Sequence, residues 1–284
     1  MQLTGRTLGF LLSVAAAPAF AEPNALPSPP SPGTRGTAEM TYDGYAAGLN
    51  AVKVRAAIEL RSDGYDIGVN FRTSGMIGAF LSGDMLTRVN GTWRTDRAAP
   101  SRYRSGGTWR GDQRHIEIDY PDGQPHVSNL TPAVDEAREP IPEAMKHDTT
   151  DALSAIAFLL HTVAQTGRCD GHVQTFDGRR VSDVVARTVG TEVLPEESRS
   201  TFKGPALRCD LEGRQTAGLP KDAAPDDMIR KVQHSTIWLT VPKPGMPVVP
   251  VQMSFEVRSL GHMILYVTQA RAEAQLAQFT PKAQ

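Results

Sequence analysis

The chain carries only two cysteines in 284 residues, its charges nearly cancel, and no stretch after the first two dozen positions is apolar for long. Each shortage excludes something. Cys169 and Cys209 stand 40 residues apart, which rules out a CxxC redox pair, and two thiolates are too few for a structural zinc site. Thirty Lys and Arg against 31 Asp and Glu, a net charge of −1, offer no electrostatic case for nucleic acid or for an anionic membrane surface. The apolar runs fall short of the roughly 20 consecutive residues a transmembrane helix needs, so no transmembrane segment is expected. Nucleophile signatures are missing too: there is no G-x-S-x-G elbow and no H-E-x-x-H helix.

What is present begins with an address. Arg6, the apolar run Leu8 to Ala17 broken by Gly9 and Ser13, and Ala19-Phe20-Ala21 form a cleavable export signal over residues 1–21. Cleavage near Glu22, with no Cys after the cut to carry a lipid, predicts a periplasmic protein. In an oxidising compartment an even cysteine count reads as one disulfide, Cys169–Cys209. A loop of that size stabilises the fold by about 4 kcal/mol in the chain-entropy model. Residues 22–37 follow, with Pro23, Pro27, Pro29, Pro30 and Pro32 between small residues, a composition expected of a flexible tether.

From residue 38 the texture is that of strands, and 38–284 is expected to be one β-rich domain with a possible division into halves near 131–148. Val52, Val54, Ala56, Ile58 and Leu60 alternate with polar or small residues, Asp63-Gly64 makes a turn, and Tyr65, Ile67, Val69 and Phe71 resume the period of two. Asn90-Gly91, Asp122-Gly123 and Asp177-Gly178 read as further turns, and 236–241, 248–257 and 262–268 as further strands. Short alternating segments with regular turns predict an antiparallel barrel or sandwich. One segment departs from this: after Asp148, a candidate cap, residues 152–164 are apolar almost all round and end at Gly167, the profile of a helix buried on most sides.

Few side chains suggest chemistry. His115, Glu117 and Asp119 alternate along one strand face, as a metal site or a solvated outer face would. His161 lies in the apolar helix beside Phe158 and reads as a hydrogen-bonded core histidine. His147-Asp148 is an adjacent pair near a helix start. Thr73-Ser74-Gly75 and Ser105-Gly106-Gly107 place serines beside glycines without a visible base. The apolar stretch Gly75 to Leu81 reads as a short buried connector or as a lip over a hydrophobic cavity.

The segments around the cysteines are the most distinctive: Gly167-Arg168-Cys169-Asp170-Gly171, Asp177-Gly178-Arg179-Arg180, and Phe202-Lys203-Gly204-Pro205-Ala206-Leu207-Arg208-Cys209. With Tyr42-Asp43-Gly44-Tyr45-Ala46-Ala47-Gly48-Leu49 near the start and Val249-Pro250-Val251 with Leu260-Gly261 near the end, they resemble the exported bacterial family of domain of unknown function 3108, in its alphaproteobacterial form. That resemblance implies a periplasmic, disulfide-containing protein, architecturally similar to periplasmic lipoprotein carriers and to envelope integrity protein B. It transfers no catalytic residue. The expectation is a mainly β protein, an antiparallel open or spiralled β-barrel packed around one apolar α-helix and stapled by one disulfide. Its expected role is a non-catalytic envelope-maintenance factor that binds a lipid, a lipoprotein or an envelope protein. Met76, Ile77, Phe80, Leu81, Phe158 and Leu159 would line the site, with no cofactor and no metal. The rival expectation is a periplasmic hydrolase or metal-dependent enzyme using the His115, Glu117 and Asp119 face.

Overall fold

The computed structural model describes residues 36–133, 137–257 and 261–281. Seven strands come first: β1 (Gly36–Ala46), β2 (Leu49–Leu60), β3 (Gly64–Thr73), β4 (Gly83–Trp93), β5 (Ala98–Trp109), β6 (Asp112–Asp119) and β7 (His126–Thr131), with a short helix α1 (Gly75–Phe80) between β3 and β4. The main helix, α2 (Ala152–Thr166), precedes β8 (Gly171–Phe176), β9 (Val181–Leu194), β10 (Gly204–Ala217), β11 (Gln233–Thr240), β12 (Val249–Val257) and β13 (Gly261–Arg271). Each group is an antiparallel meander. β1 pairs with β13, which joins the two into one 13-stranded sheet with β7 at one edge and β8 at the other. The expected division near 131–148 therefore falls where the chain passes from one sheet edge to the other.

Alternation decides which face turns inward. Along β1 every second residue is buried, with Ala38, Met40 and Tyr42 among them, because successive strand side chains point to opposite faces. Ile58 and Leu60 of β2, Ile67 of β3, Leu239 of β11, Val251 of β12 and Val267 of β13 share that inner face in one hydrophobic core. The sheet curls until its edges approach. Ile118 and Tyr120 from the first meander pack with Phe176, Val181 and Ala217 from the second in a separate cluster. The connector completes this seam: the Arg138 guanidinium donates to the Gly218 carbonyl at 2.7 Å, and the Lys221 amide to the Ala137 carbonyl at 2.8 Å. No ladder joins β7 to β8, so the barrel stays open as expected.

The helix lies inside this curl, and four of its residues, Ser154, Ala157, Leu160 and Val163, are buried. The expectation of burial on most sides is corrected here: Leu153, Ile156, Phe158 and Leu159 pack on the core but are only partly buried. The start is corrected as well. Asp151, not Asp148, caps α2, its carboxylate accepting the Ser154 amide at 2.9 Å. The helix cannot begin earlier because Thr150 is held extended against β8, its amide donating to Gln174 and its carbonyl accepting from Phe176 at 3.0 and 2.7 Å. Gly167 closes the other end at φ 68°, and the disulfide Cys169–Cys209 then ties the helix exit to β10, both cysteines buried.

The Asp63-Gly64 hairpin forms as expected, Leu60 facing Tyr65, and the turns at Asp122-Gly123 and Asp177-Gly178 also form. Asn90-Gly91 is not a turn. It lies within β4 at a bulge, and the chain reverses at 94–97 instead. The glycine serves close approach: a Cβ at Gly91 would sit 2.6 Å from the Tyr65 hydroxyl and 2.4 Å from the Ala99 carbonyl oxygen. β1 begins at Gly36, so two residues of the expected tether are strand, the Thr37 hydroxyl donating to the Ala272 carbonyl. Residues 1–35, with the export signal and the rest of the tether, lie outside the described residues, as does the 258–260 link between β12 and β13. Past β13, residues 276–281 cross the outer face, where Phe279 is buried over Gly68 with the Arg55 guanidinium 5.5 Å from its ring.

Candidate functional site

Because α2 fills only part of the curled sheet, a cavity remains on each side of it. The first has a volume of ≈ 440 Å³. Its floor comes from the inward positions of β2 and β3, Val52, Val54, Ala56 and Ile58 with Val69 and Phe71, and its far wall from Ile237, Met253, Phe255 and Leu265. Leu153 and Ile156 of α2 form the roof, and Ile77, Leu81, Trp109 and Arg110 line one end. The two hydroxyls in its lining are satisfied within the protein. The Tyr42 hydroxyl donates to the Pro250 carbonyl at 2.8 Å, and the Thr73 hydroxyl accepts the Gly83 amide at 2.8 Å. Burial pushes the Tyr42 phenol far up, so it stays neutral. What the cavity presents is hydrocarbon.

The second cavity, ≈ 560 Å³, lies on the other side of the helix. Phe158 and Leu159 face Val173, Val184, Ala186 and Leu211, while Arg94, Asp96, Arg97, Asp170 and His172 add polar groups to the lining. His161 belongs to its wall. Its ring stacks on Trp93 at 4.3 Å and 16°, and burial pushes the imidazole below its ordinary pKa, favouring the neutral form. The expected hydrogen bond is absent: His161 has no hydrogen-bond partner among the described residues, and aromatic stacking holds it instead.

The six candidate ligand-binding residues are thus divided. Ile77 and Leu81 line the first cavity, and Phe158 and Leu159 the second. Met76 and Phe80 line neither and are 66 % and 92 % exposed on the outer side of α1. The expected lip is a helix of six residues, and Ser74, just before it, donates its amide to the Ala51 carbonyl at 2.9 Å. Trp109, Arg110, Met253 and Phe255 escaped sequence reasoning. The alternation of β12 marked Met253 and Phe255 as inward, but nothing local revealed that β2 and β12 face one another across the curl.

The polar candidates do not assemble. Glu117 accepts from the Arg104 Nε at 2.7 Å and Asp119 from the Arg102 Nε at 2.5 Å, while His115 is buried. Burial alone would raise the Asp119 carboxyl, but Arg102 and Ser128 outweigh it and hold the pKa below the usual value. Among the described residues no three His, Cys, Asp or Glu are grouped to hold a metal. His147 contacts Gln124 at 3.3 Å and Asp148 pairs with Arg97 at 3.2 Å. Ser74 does stand between a strand and a helix, yet its hydroxyl bonds to the Asn50 side-chain oxygen and not to a base. One S-x-x-K string, Ser200 to Lys203, lies in a loop where Lys203 pairs with Glu196 at 2.6 Å and the Ser200 hydroxyl donates to the Phe202 carbonyl. A connected polar chain does run from Tyr65 to Ser154 (2.7 Å) and on to Asp151 (2.5 Å). All three are buried, so the chain braces the helix entry out of reach of a substrate.

These features define a class: an open, antiparallel β-barrel-like protein wound on one helix, cross-linked once, with hydrocarbon-lined space inside. Among the described residues, no helix is long and apolar enough to cross a membrane. Residues 37–268 match the family described as protein of unknown function (DUF3108), and the chain belongs to that family. Comparison with curated proteins finds no match. Among solved structures the chain is similar to a beta-barrel-like protein of domain of unknown function DUF1849 from Brucella abortus, at 13% identity and a TM-score of 0.45 over 87% of this chain and 98% of that one.

Proposed function

We propose that this protein is a non-catalytic, periplasmic envelope-maintenance factor that holds the hydrocarbon part of a lipid or lipoprotein in the first cavity. One observation carries the reading: a ≈ 440 Å³ space walled by aliphatic and aromatic side chains, with the Tyr42 and Thr73 hydroxyls bonded to backbone groups. That volume falls within the roughly 300–1,000 Å³ typical of small-molecule sites. Apolar surface of this kind gains free energy when an apolar guest takes the place of water. The export signal supports the location, and the disulfide suits an oxidising compartment.

Native mass spectrometry of the protein recovered from its own periplasm provides the test. A bound lipid mass is expected, lost in the cavity-filling variant Ala56→Phe. An empty wild-type protein that also fails to take up alkyl probes would remove the reading. Loss of the gene is expected to sensitise cells to detergents and wall-active antibiotics.

A further inference from the structure

The lining of the first cavity contains a single charged residue, Arg110, in the two-residue loop between β5 and β6. Among the described residues its side chain has no hydrogen bond or ion pair, and it is exposed to solvent. The Asp112 carboxylate, two residues on, pairs with Arg114 at 3.3 Å. An arginine with no side-chain partner among the described residues therefore lines a hydrocarbon-walled space.

We propose that the cavity takes a single-chain amphiphile with an anionic head, its alkyl chain inside and its carboxylate or phosphate on Arg110. This deepens the preceding reading and rests on it. The planar fork of a guanidinium matches either oxyanion in a bidentate, charge-assisted arrangement. Because Arg110 is exposed, the head group stays in water, and no charge has to be buried to seat the chain. Volume limits the number of chains: a dry apolar cavity of about 150 Å³ accepts benzene, so ≈ 440 Å³ suits one extended alkyl chain better than the pair carried by a diacyl lipid.

The test is calorimetric titration of the intact protein with probes that share one alkyl length, below their micellar concentrations: palmitate, palmitoyl lysophosphatidic acid, hexadecanol and hexadecyltrimethylammonium. Both anions should bind about 10-fold more tightly than the alcohol, the scale of one charge-assisted hydrogen bond, and the cation more weakly. Arg110→Gly should remove that preference, so that acid and alcohol bind with equal affinity. Arg110 sits at φ 56°, a conformation glycine adopts freely, so this variant keeps the fold. Arg110→Lys should retain part of the preference.

Equal binding of acid and alcohol by the wild type overturns the anionic-head proposal while leaving the apolar-cavity reading intact. Binding of none of the four defeats both. Equal losses for acid and alcohol in Arg110→Gly reduce Arg110 to a wall residue and overturn its assignment. Competition by inorganic phosphate alone, at the affinity of palmitate, marks a small-anion site and also overturns the proposal.

Discussion

Asp151 caps the helix through its side chain and is also the acceptor at the end of the chain from Tyr65 through Ser154. Burial raises its carboxyl from 3.8 to about 6, against the hydrogen bonds from Ser154, which lower it. A group whose folded pKa is raised contributes stability fully present below its unfolded value and lost as pH climbs through the folded one. For Asp151 that window runs from roughly pH 4 to somewhat above 6, and the shift corresponds to about 3 kcal/mol. Asn caps a helix as well as Asp and does not titrate. Asp151→Asn should therefore match the wild type near pH 4 and exceed it by about 3 kcal/mol near pH 8, as read by urea unfolding at both pH values. A constant difference across that range would show that the carboxyl does not titrate as its burial requires.

At the scale of elements, the two helices make opposite demands on their apolar residues. Leu160 is fully buried on the inner stripe of α2, so Leu160→Ala should cost about 2–5 kcal/mol in denaturant unfolding. Phe80 is larger but 92 % exposed on the outside of α1, and Phe80→Ser should stay within about 0.5 kcal/mol of the wild type. Comparable losses from the two substitutions would contradict the orientation of α1. The disulfide acts on an element too, pinning the exit of α2 to β10 across 40 residues of chain. Replacing both cysteines by serine should lower stability by about 4 kcal/mol, measured against the oxidised protein in a non-reducing buffer.

For the whole molecule, the open sheet sets a gradient of stability. β1 and β13 sit at its middle and unite the two meanders, whereas among the described residues β7 has no strand beyond it and β8 has only the bridge to Thr150. Hydrogen exchange should find the β1 and β13 amides most protected and those of β7 and β8 least, because local opening begins where fewest ladders must break. Equal protection across all strands would mean that the edges are paired in solution. The seam of Ile118, Tyr120, Phe176, Val181 and Ala217 closes the curl by side-chain packing and the hydrogen bonds of the connector, without a strand ladder, which leaves the interior wider than α2 can fill.

Period-two alternation placed many of the strands, and the Asp63-Gly64 hairpin, the presence of α2 and its Gly167 stop were legible because each depends on neighbours within a few residues. The cysteine pair was legible from its even count and the expected compartment. Asn90-Gly91 misled because the same dipeptide that makes a turn also permits a bulge, and the choice was made by the approach of Tyr65. The division of Ile77 and Leu81 from Phe158 and Leu159 into separate cavities, and the place of Arg110 at the end of one of them, belong to the tertiary structure. They depend on how far the sheet curls and on which face of α2 meets it. The walls of the first cavity bring together residues as far apart as Val52 and Leu265, and local patterning carries no information about such contacts.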